Sequence, residues 1–297
     1  MKKLFSSKIA LLGTIAVLGL TSCGSNKVNN DKLVIGMETN YQPFNWTAKK
    51  ESEYTLPIDG TQEFADGYDI AVAKYLSEKT SKEVVIKRMV WDSLIPSLNN
   101  GQINMVLAGM TDTAKRREAI DFTDPYLSSD MAFLVRSADV PATLGTKEDP
   151  ATYEELLNLF SGKTLVCQRN VVCDGYIDTY FVNNTSNITI KHAPAADSYP
   201  LAASQVQLDT AFAMPAELPV IEAMTNLDTS ALRVLYCDYK NFLNKEDQNG
   251  LSVSIGLKKG NDELKEVLNN ALHDLSTEKR EEMMGLAAQR SAEGAKN

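Results

Sequence analysis

One arginine and the polar residues before it could recognise a carboxylate. Arg116 can hold a carboxylate through two parallel, charge-assisted hydrogen bonds, and Thr111 can add a hydroxyl donor. Ala108 and Gly109 lie at the end of an apolar run, where strand N–H groups are free to donate. Taken alone, Arg116 is more typical of a solvated helix charge, because basic residues flank it, and Thr111 is typical of a turn or cap.

Two aromatic residues could cover the faces of a small ligand. Tyr41 follows the first predicted strand and Trp91 follows the second. An aromatic ring offers apolar area and a π-face that tolerates a cation. Packing in the core is the alternative for each ring, and their common position after a strand favours binding.

The segments that position these residues alternate between strand and helix patterns. Strands are predicted at 33–39, 83–89 and 103–110. Helices are predicted at 69–80, 92–100 and 113–120, and Thr113 is the predicted N-cap of the third. Residues 45–66 are predicted to form a long loop. This order is typical of a parallel sheet covered by helices.

A second alternating series follows. Its predicted strands are 163–168, 187–192, 208–214 and 231–236, and its predicted helices are 174–182, 197–206 and 216–225. Apolar stretches at 131–135 and 251–257 flank the series, and two helices, 262–275 and 277–289, end the chain.

We therefore predict an α/β fold of two lobes, each a mainly parallel sheet flanked by helices, joined by two hinge strands. Lobe I covers 32–130, lobe II covers 131–252, and 253–297 returns to lobe I with the C-terminal helices. Open α/β sheets bind ligands outside the carboxyl ends of their strands, and two facing lobes can close over a ligand by hinge motion.

The N-terminus predicts export and anchoring. Three lysines precede an apolar run at 9–20 that is too short to span a bilayer comfortably. The run ends in Leu-Thr-Ser-Cys-Gly, which resembles a bacterial lipobox. We expect 1–22 to be a lipoprotein signal peptide, Cys23 a lipid anchor, and 23–31 a tether at the extracytoplasmic face of a bacterial membrane. A plain secretory signal is the alternative.

The composition narrows the function classes. The net charge of −9 argues against nucleic-acid binding, which needs a basic face. Two histidines and the absence of Cys-x-x-Cys spacing predict no metal site, and no cofactor is expected. Cys167, Cys173 and Cys237 leave two possibilities open: one disulfide with one free thiol, or three free thiols.

Four segments together resemble the family 3 extracellular solute-binding proteins, which supply polar amino acids to ABC importers. The segments are Gly67-Tyr68-Asp69-Ile70, the Trp-Asp-Ser-Leu-Ile-Pro-Ser-Leu run at 91–98, Ala108-Gly109-Met110-Thr111, and 116–126 with Asp-Phe-Thr-Asp-Pro-Tyr. The resemblance covers roughly 31–290 and is stronger in lobe I. It implies a periplasmic-binding-protein-like fold, an amino acid or similar small carboxylate as ligand, and an ABC permease as partner.

The resemblance also implies roles for individual residues. It assigns the grip on the ligand's α-carboxylate to Ala108, Gly109, Thr111 and Arg116. It assigns the sandwich around the ligand to Tyr41 and Trp91, and contact with a ligand amine or side chain to Glu38. A solvated strand-end charge is the alternative for Glu38.

Lobe II departs from the family pattern at two places. The stretch 168–173, Gln-Arg-Asn-Val-Val-Cys, lacks the family's glycines, which makes close backbone approach harder. Asn170 is a binding candidate there, and Arg169 is either a second cation or a surface charge. The family also has an acid in lobe II that holds the ligand's α-ammonium. An alignment without gaps places Met214 at that position, and a shift of three residues places Glu217 there. The alternative role for Glu217 is that of an acid in the first turn of a helix, where it faces the helix dipole.

Three hypotheses follow. The leading one is a lipid-anchored binding protein that serves an ABC importer. The second is a dehydratase-type enzyme on the same fold, with Glu38 or Glu217 as general acid or base. The third is a surface sensor lipoprotein that binds a ligand and serves no transporter.

Overall fold

Two five-stranded sheets covered by helices form the body of the protein in the computed structural model, which describes residues 31–226, 231–249 and 251–294. The predicted signal peptide, Cys23 and the tether up to residue 30 lie outside these ranges. Within them, no helix is both long and apolar enough to cross a membrane.

Strands and helices alternate along most of the described chain. The strands are β1 (Lys32–Met37), β2 (Asn40–Tyr41), β3 (Asn45–Ala48), β4 (Leu56–Pro57), β5 (Phe64–Asp66), β6 (Glu83–Arg88), β7 (Met105–Val106), β8 (Ile120–Ser128), β9 (Met131–Arg136), β10 (Thr164–Leu165), β11 (Lys191–His192), β12 (Ala213–Glu217), β13 (Leu232–Tyr236) and β14 (Ser252–Lys258). The α-helices are α1 (Tyr68–Thr80), α2 (Leu94–Asn99), α3 (Ala114–Arg117), α4 (Tyr153–Phe160), α5 (Val172–Tyr176), α6 (Tyr199–Gln207), α7 (Leu218–Thr225), α8 (Lys245–Asn249), α9 (Asp262–His273) and α10 (Thr277–Gly294). A π-helical turn, Ile177–Val182, continues α5.

The sheet of lobe I has the strand order β6-β1-β7-β14-β8, with β14 antiparallel to both of its neighbours. The other four strands therefore share one direction. Leu33, Ile35 and Met37 of β1 are fully buried. They are buried because β1 is an inner strand of a sheet that is covered by helices. The carboxyl ends of β1, β6 and β7 meet at one edge of this sheet.

The prediction of a long loop at 45–66 is wrong. Three strands of this region, β3, β4 and β5, pair with β2 in a small antiparallel sheet of order β2-β3-β5-β4. Its strands are only two to four residues long, so no alternating pattern extends far enough to be read. The polar side chain of Asn45 can be fully buried because its hydrogen bonds are satisfied: it accepts from the Thr39 N–H at 2.8 Å and donates to Asp69.

The sheet of lobe II repeats this plan with the order β11-β10-β12-β9-β13, in which β9 is antiparallel to β12 and β13. The strand predicted at 208–214 is misplaced, since β12 runs to Glu217. Residues 208–211 instead form a turn after α6, in which the Thr210 N–H donates to the Gln205 carbonyl and Asp209 has a φ of 61°. Helix α4, which the patterns above do not predict, begins with a Thr152–Glu155 capping box.

The chain passes from one sheet to the other between β8 and β9 and returns between β13 and β14. The apolar stretches at 131–135 and 251–257 form β9 and β14, which adjoin these two passages. The hydroxyl oxygens of Ser128 and Ser252 lie 3.0 Å apart and tie the passages together. The α/β class with two helix-covered lobes is confirmed.

All three cysteines of the described chain are buried free thiols, so the disulfide alternative is wrong. The Cys167 thiol lies 3.3 Å from the Pro215 carbonyl, and the Cys237 thiol lies 3.4 Å from the Met131 carbonyl. Burial raises the pKa of the Cys167 and Cys173 thiols well above their usual value. They pack as small apolar side chains in the core of lobe II.

Candidate functional site

The strand ends of the two lobes face each other and enclose a small inner cavity of about 10 Å³. Lobe I lines it with Glu38, Tyr41, Trp91, Gly109, Thr111 and Arg116. Lobe II lines it with Gln168, Val171, Val172, Tyr199 and Glu217. Most of these residues follow or end a strand of their sheet, which is the position where open α/β sheets bind ligands.

Arg116 is held in the cleft by its own short helix and by residues from both lobes. Helix α3 begins at Thr113, whose side chain accepts the Arg116 N–H, so the predicted N-cap is confirmed. The guanidinium Nη1 donates to the Thr111 carbonyl at 2.8 Å and to its hydroxyl, and Nη2 donates to the Asn170 carbonyl at 3.1 Å. It also lies 5.2 Å from the centre of the Trp91 ring. Burial lowers the pKa of Arg116 to about 10, so the group stays cationic at neutral pH.

Tyr41 connects the aromatic part of the cleft to a buried acid. Its ring stacks between Phe44 and Tyr199, with centroid distances of 5.0 Å on both sides. Its hydroxyl donates to Glu217 Oε2 at 2.6 Å, and the Tyr199 hydroxyl lies 3.5 Å from the same oxygen. Burial raises the pKa of Glu217, while the tyrosine hydroxyl and the Arg116 charge oppose that shift. The cleft thus carries a guanidinium cation from lobe I and a buried carboxyl group from lobe II.

Glu38 is a second acid in the cleft. Both of its carboxylate oxygens accept from the Gln168 side-chain amide, at 3.1 and 3.2 Å, and the Gln168 oxygen accepts the Tyr199 N–H at 3.1 Å. Burial raises the pKa of Glu38 to about 7, and the amide of Gln168 opposes the rise. Near neutral pH this carboxyl group therefore exists in both protonation states.

Gly109 brings the backbone close to the Tyr41 ring. Its φ is +61°, and a Cβ at this position would lie 2.6 Å from Cε1 of Tyr41. Its N–H donates to the Tyr126 hydroxyl at 2.9 Å, which in turn donates to Asp69 at 2.8 Å. Asp69 also accepts from the Asn45 amide at 2.8 Å, and burial raises its pKa to about 6. Asp69 and Tyr126, which belong to two of the segments that resemble the family, thus hold the loop after β7 in place.

The structure separates the predicted site residues into three groups. Seven of them line the inner cavity: Glu38, Tyr41, Trp91, Gly109, Thr111, Arg116 and Glu217. Asn170 lines a larger outer cavity, where its carbonyl accepts from Trp91 Nε1 at 3.3 Å and its side-chain amide donates to Asp92 at 2.8 Å. Neither cavity is lined by Ala108 or Arg169.

Each of those two residues has another environment. Ala108 is buried beside Gly109. Arg169 forms an ion pair with Asp197, and both side chains are about half exposed or more. Met214 is fully buried inside β12, opposite Leu134. Met214 and Glu217 were the two positions considered for the lobe II acid, and of these only Glu217 faces the cleft.

Gln168, Tyr199 and the two valines at 171 and 172 were missed as site residues. The strand-end rule that selects Tyr41 and Trp91 in lobe I also applies in lobe II, where Gln168 ends the predicted strand at 163–168. Tyr199 opens α6 directly after its N-cap, Ser198. Within the described ranges, no group of three His, Cys, Asp or Glu side chains is arranged to hold a metal ion.

The sequence is similar to known binding proteins over most of its length. Residues 33–284 match the model of the bacterial extracellular solute-binding proteins, family 3. The arginine-binding extracellular protein ArtP of Bacillus subtilis is 30% identical over 125 residues, which is 41% of this chain and 44% of that protein. The chain spans about half the length of the curated relatives it matches.

Solved structures show the same fold. A Streptococcus pneumoniae amino acid ABC transporter substrate-binding protein bound to L-arginine aligns with a TM-score of 0.68 and 19% identity, over 88% of this chain and 96% of that one. An ancestral amino acid-binding protein, a precursor of cyclohexadienyl dehydratase, aligns with a TM-score of 0.63 and 21% identity, over 86% and 94% of the two chains.

Proposed function

The chain belongs to the bacterial extracellular solute-binding proteins of family 3, and from that premise we propose that it captures an amino acid outside the cytoplasm and delivers it to an ABC importer. The observation that carries the proposal is the pairing of Arg116 and Glu217 across the inner cavity. A guanidinium matches a carboxylate, and a buried carboxylate matches an ammonium. The two groups that every free amino acid carries therefore have complementary partners in one cleft.

The remaining charge in the cleft favours a cationic side chain. With the ligand's carboxylate on Arg116 and its ammonium on Glu217, Glu38 is the acid left over. A positively charged ligand side chain would stabilise the ionised form of Glu38, and that attraction is stronger in a buried site than in water. We therefore propose an arginine-like amino acid as the preferred ligand, in keeping with the arginine-binding relative from Bacillus subtilis.

Binding and closure are coupled in this proposal. Arg116 and Glu38 belong to lobe I and Glu217 belongs to lobe II, so a ligand held by all three stabilises the closed arrangement of the lobes. An importer would recognise that closed arrangement. We further propose that Cys23 is lipidated and anchors the protein at the outer face of the membrane, as the lipobox-like segment indicates.

Calorimetric titration with the twenty amino acids tests the ligand. L-Arginine is expected to bind, and Arg116→Ala to weaken its binding at least 100-fold, because a charge-assisted bidentate contact is worth about 3 kcal/mol. Arg117→Ala is the matched control, since Arg117 lies on the same helix, pairs with Asp112 and does not line the inner cavity. Unchanged binding by Arg116→Ala would refute the carboxylate role.

We propose binding without turnover. Both histidines of the chain lie outside the inner cavity, His192 beside Asp178 at 3.0 Å and His273 beside Asp124 at 2.9 Å. One observation favours the dehydratase alternative: Glu38 can be protonated near neutral pH and could act as a general acid. Incubation with prephenate-like cyclohexadienyl acids decides between them, because product formation that Glu38→Gln abolishes would establish an enzyme.

Transport and sensing are separated by an uptake assay. Cells that carry the protein together with the proposed permease should accumulate radiolabelled arginine, and cells without the protein should not. Uptake that is equal in both strains, together with tight binding in vitro, would support the sensor alternative.

A further inference from the structure

The inner cavity is too small to hold any amino acid in this arrangement of the lobes. Its volume is about 10 Å³, whereas a single water molecule already needs about 10–15 Å³ of such space. Every amino acid is several times larger than a water molecule. A bound amino acid must therefore keep the facing side chains of the two lobes further apart than they lie in this structure.

The two acids assigned to the ligand are already matched by groups of the opposite lobe. The Glu38 carboxyl oxygens of lobe I accept from the Gln168 side-chain amide of lobe II, at 3.1 and 3.2 Å. The Glu217 carboxylate of lobe II accepts from the Tyr41 hydroxyl of lobe I at 2.6 Å. An amide N–H and a hydroxyl thus take the positions that the proposed function gives to the ligand's side chain and ammonium.

Asn170 of lobe II matches the remaining ligand group, Arg116, and makes two further contacts with lobe I. Its carbonyl accepts from Arg116 Nη2 at 3.1 Å and from Trp91 Nε1 at 3.3 Å. Its side-chain amide donates to Asp92 Oδ1 at 2.8 Å. One residue therefore makes three hydrogen bonds across the cleft, and one of them occupies the guanidinium that is assigned to the ligand's carboxylate.

The side chain of Asn170 adds a contact that the backbone of its loop does not require. The φ of Asn170 is +61°, in the left-handed region that glycine adopts most easily and that asparagine tolerates better than most other residues. A glycine at this position can keep the backbone conformation and both hydrogen bonds of the carbonyl. It has no side chain to reach Asp92, so the hydrogen bond to that carboxylate depends on the asparagine alone.

We propose that Asn170 is a latch that holds the two lobes closed on each other, and that an amino acid must displace this latch in order to bind. The proposal rests on the proposed function, because the latch covers the guanidinium that is assigned to the ligand's carboxylate. The latched arrangement differs from the ligand-bound one, in which the amino acid lies between the lobes. Since only unlatched molecules bind, the apparent dissociation constant is the intrinsic one divided by the fraction of unlatched molecules. Asn170 therefore lowers the affinity of the cleft for its ligand.

Calorimetric titration with L-arginine tests the latch through the affinity. Asn170→Gly should bind arginine at least threefold more tightly than the wild type, because the latched arrangement loses a hydrogen bond to a carboxylate and the ligand-bound arrangement does not. Asn187→Gly is the matched control. Asn187 is an exposed residue of lobe II with a φ of 56° that lines neither cavity, so the same substitution should leave the affinity unchanged there.

Asp92→Ala distinguishes the latch from a general loosening of the loop. This variant removes the acceptor of the same hydrogen bond from lobe I. Asn170→Gly should therefore change the arginine affinity by less than about twofold when Asp92 is already alanine. A gain of equal size in both backgrounds would overturn the latch, and so would an arginine affinity of Asn170→Gly that is no higher than that of the wild type.

Small-angle X-ray scattering tests the latch without any amino acid. The double variant Gln168→Ala/Asn170→Gly loses both side-chain amides described above, so its radius of gyration should exceed that of the wild type, and Asn187→Gly should match the wild type. Equal radii for all three proteins would overturn the latch even if arginine binds. If no amino acid binds to the wild type or to Asn170→Gly, the proposed function fails and the scattering still decides on the latch. Arginine binding by Asn170→Gly alone would support both.

Discussion

Arginine affinity should fall as the pH is lowered through neutrality, because the carboxyl group of Glu38 must ionise to receive a cationic side chain. Burial raises the pKa of Glu38 to about 7. A bound guanidinium stabilises the carboxylate and lowers that pKa, so binding releases a proton. The affinity therefore rises with pH and levels off above the pKa of the ligand-free protein.

The size of the effect follows from that pKa. At pH 8.5 Glu38 is almost fully ionised, whereas at pH 5.5 only about 3% of it is, so the affinity for arginine should fall about 30-fold between them, or about 2 kcal/mol. Glutamine has no cationic side chain and should show a much smaller change. Glu38→Gln should remove most of the difference between the two ligands while preserving the shape of the side chain.

Calorimetric titration of arginine and glutamine at pH 5.5, 7.0 and 8.5 measures these affinities. Glu217 also has a pKa raised by burial, and comparing wild type with Glu38→Gln at each pH cancels its contribution, since both proteins keep Glu217. Proton release at pH 7 is checked by repeating the titration in buffers of different ionisation enthalpy. An arginine affinity that is flat from pH 5.5 to 8.5, or a pH dependence that is as large in Glu38→Gln as in the wild type, would refute this reasoning.

Three further predictions concern the support of the cleft and of the fold. Gly109→Ala should weaken ligand binding at least tenfold by calorimetry, because the added Cβ meets the Tyr41 ring and a left-handed φ costs an L-residue about 1–2 kcal/mol; binding at the wild-type level would contradict the close approach. Asp69→Ala should lower the free energy of unfolding by about 2–4 kcal/mol in urea titrations, since it leaves two buried donors without an acceptor; a loss below 1 kcal/mol would show that this network is not structural. Arg290→Met should destabilise the protein by about 3–5 kcal/mol, because Asp66 is then buried without its bidentate partner; an unchanged melting temperature would argue against a tightly packed α10.

Local sequence patterns were sufficient to predict features that depend on a single helix or strand. The apolar run of β1, the helical period of α1 and the N-cap at Thr113 are short-range features, and the structure has all three. The small sheet made by β2 to β5 escaped prediction because strands of two to four residues leave too short a pattern. The position of β12 was misjudged for a related reason: residues 208–212 are apolar enough to be a strand, and only the end of α6 shows that they are a turn.

The sequence by itself determined the α/β class, the two lobes, and most of the lobe I residues that line the inner cavity, since most of these residues follow a strand and strand ends gather at one edge of a parallel sheet. Tertiary structure alone decided which side chains meet across the cleft. Glu38 contacts Gln168, and Tyr41 contacts Glu217, over separations of 130 and 176 residues. Such contacts depend on the twist of two sheets and the closure of two lobes, and no local pattern records either of them. The folding of lobe II put Glu217 in the cleft and left Arg169 beside Asp197 at the surface, although the sequence offered both as equal candidates.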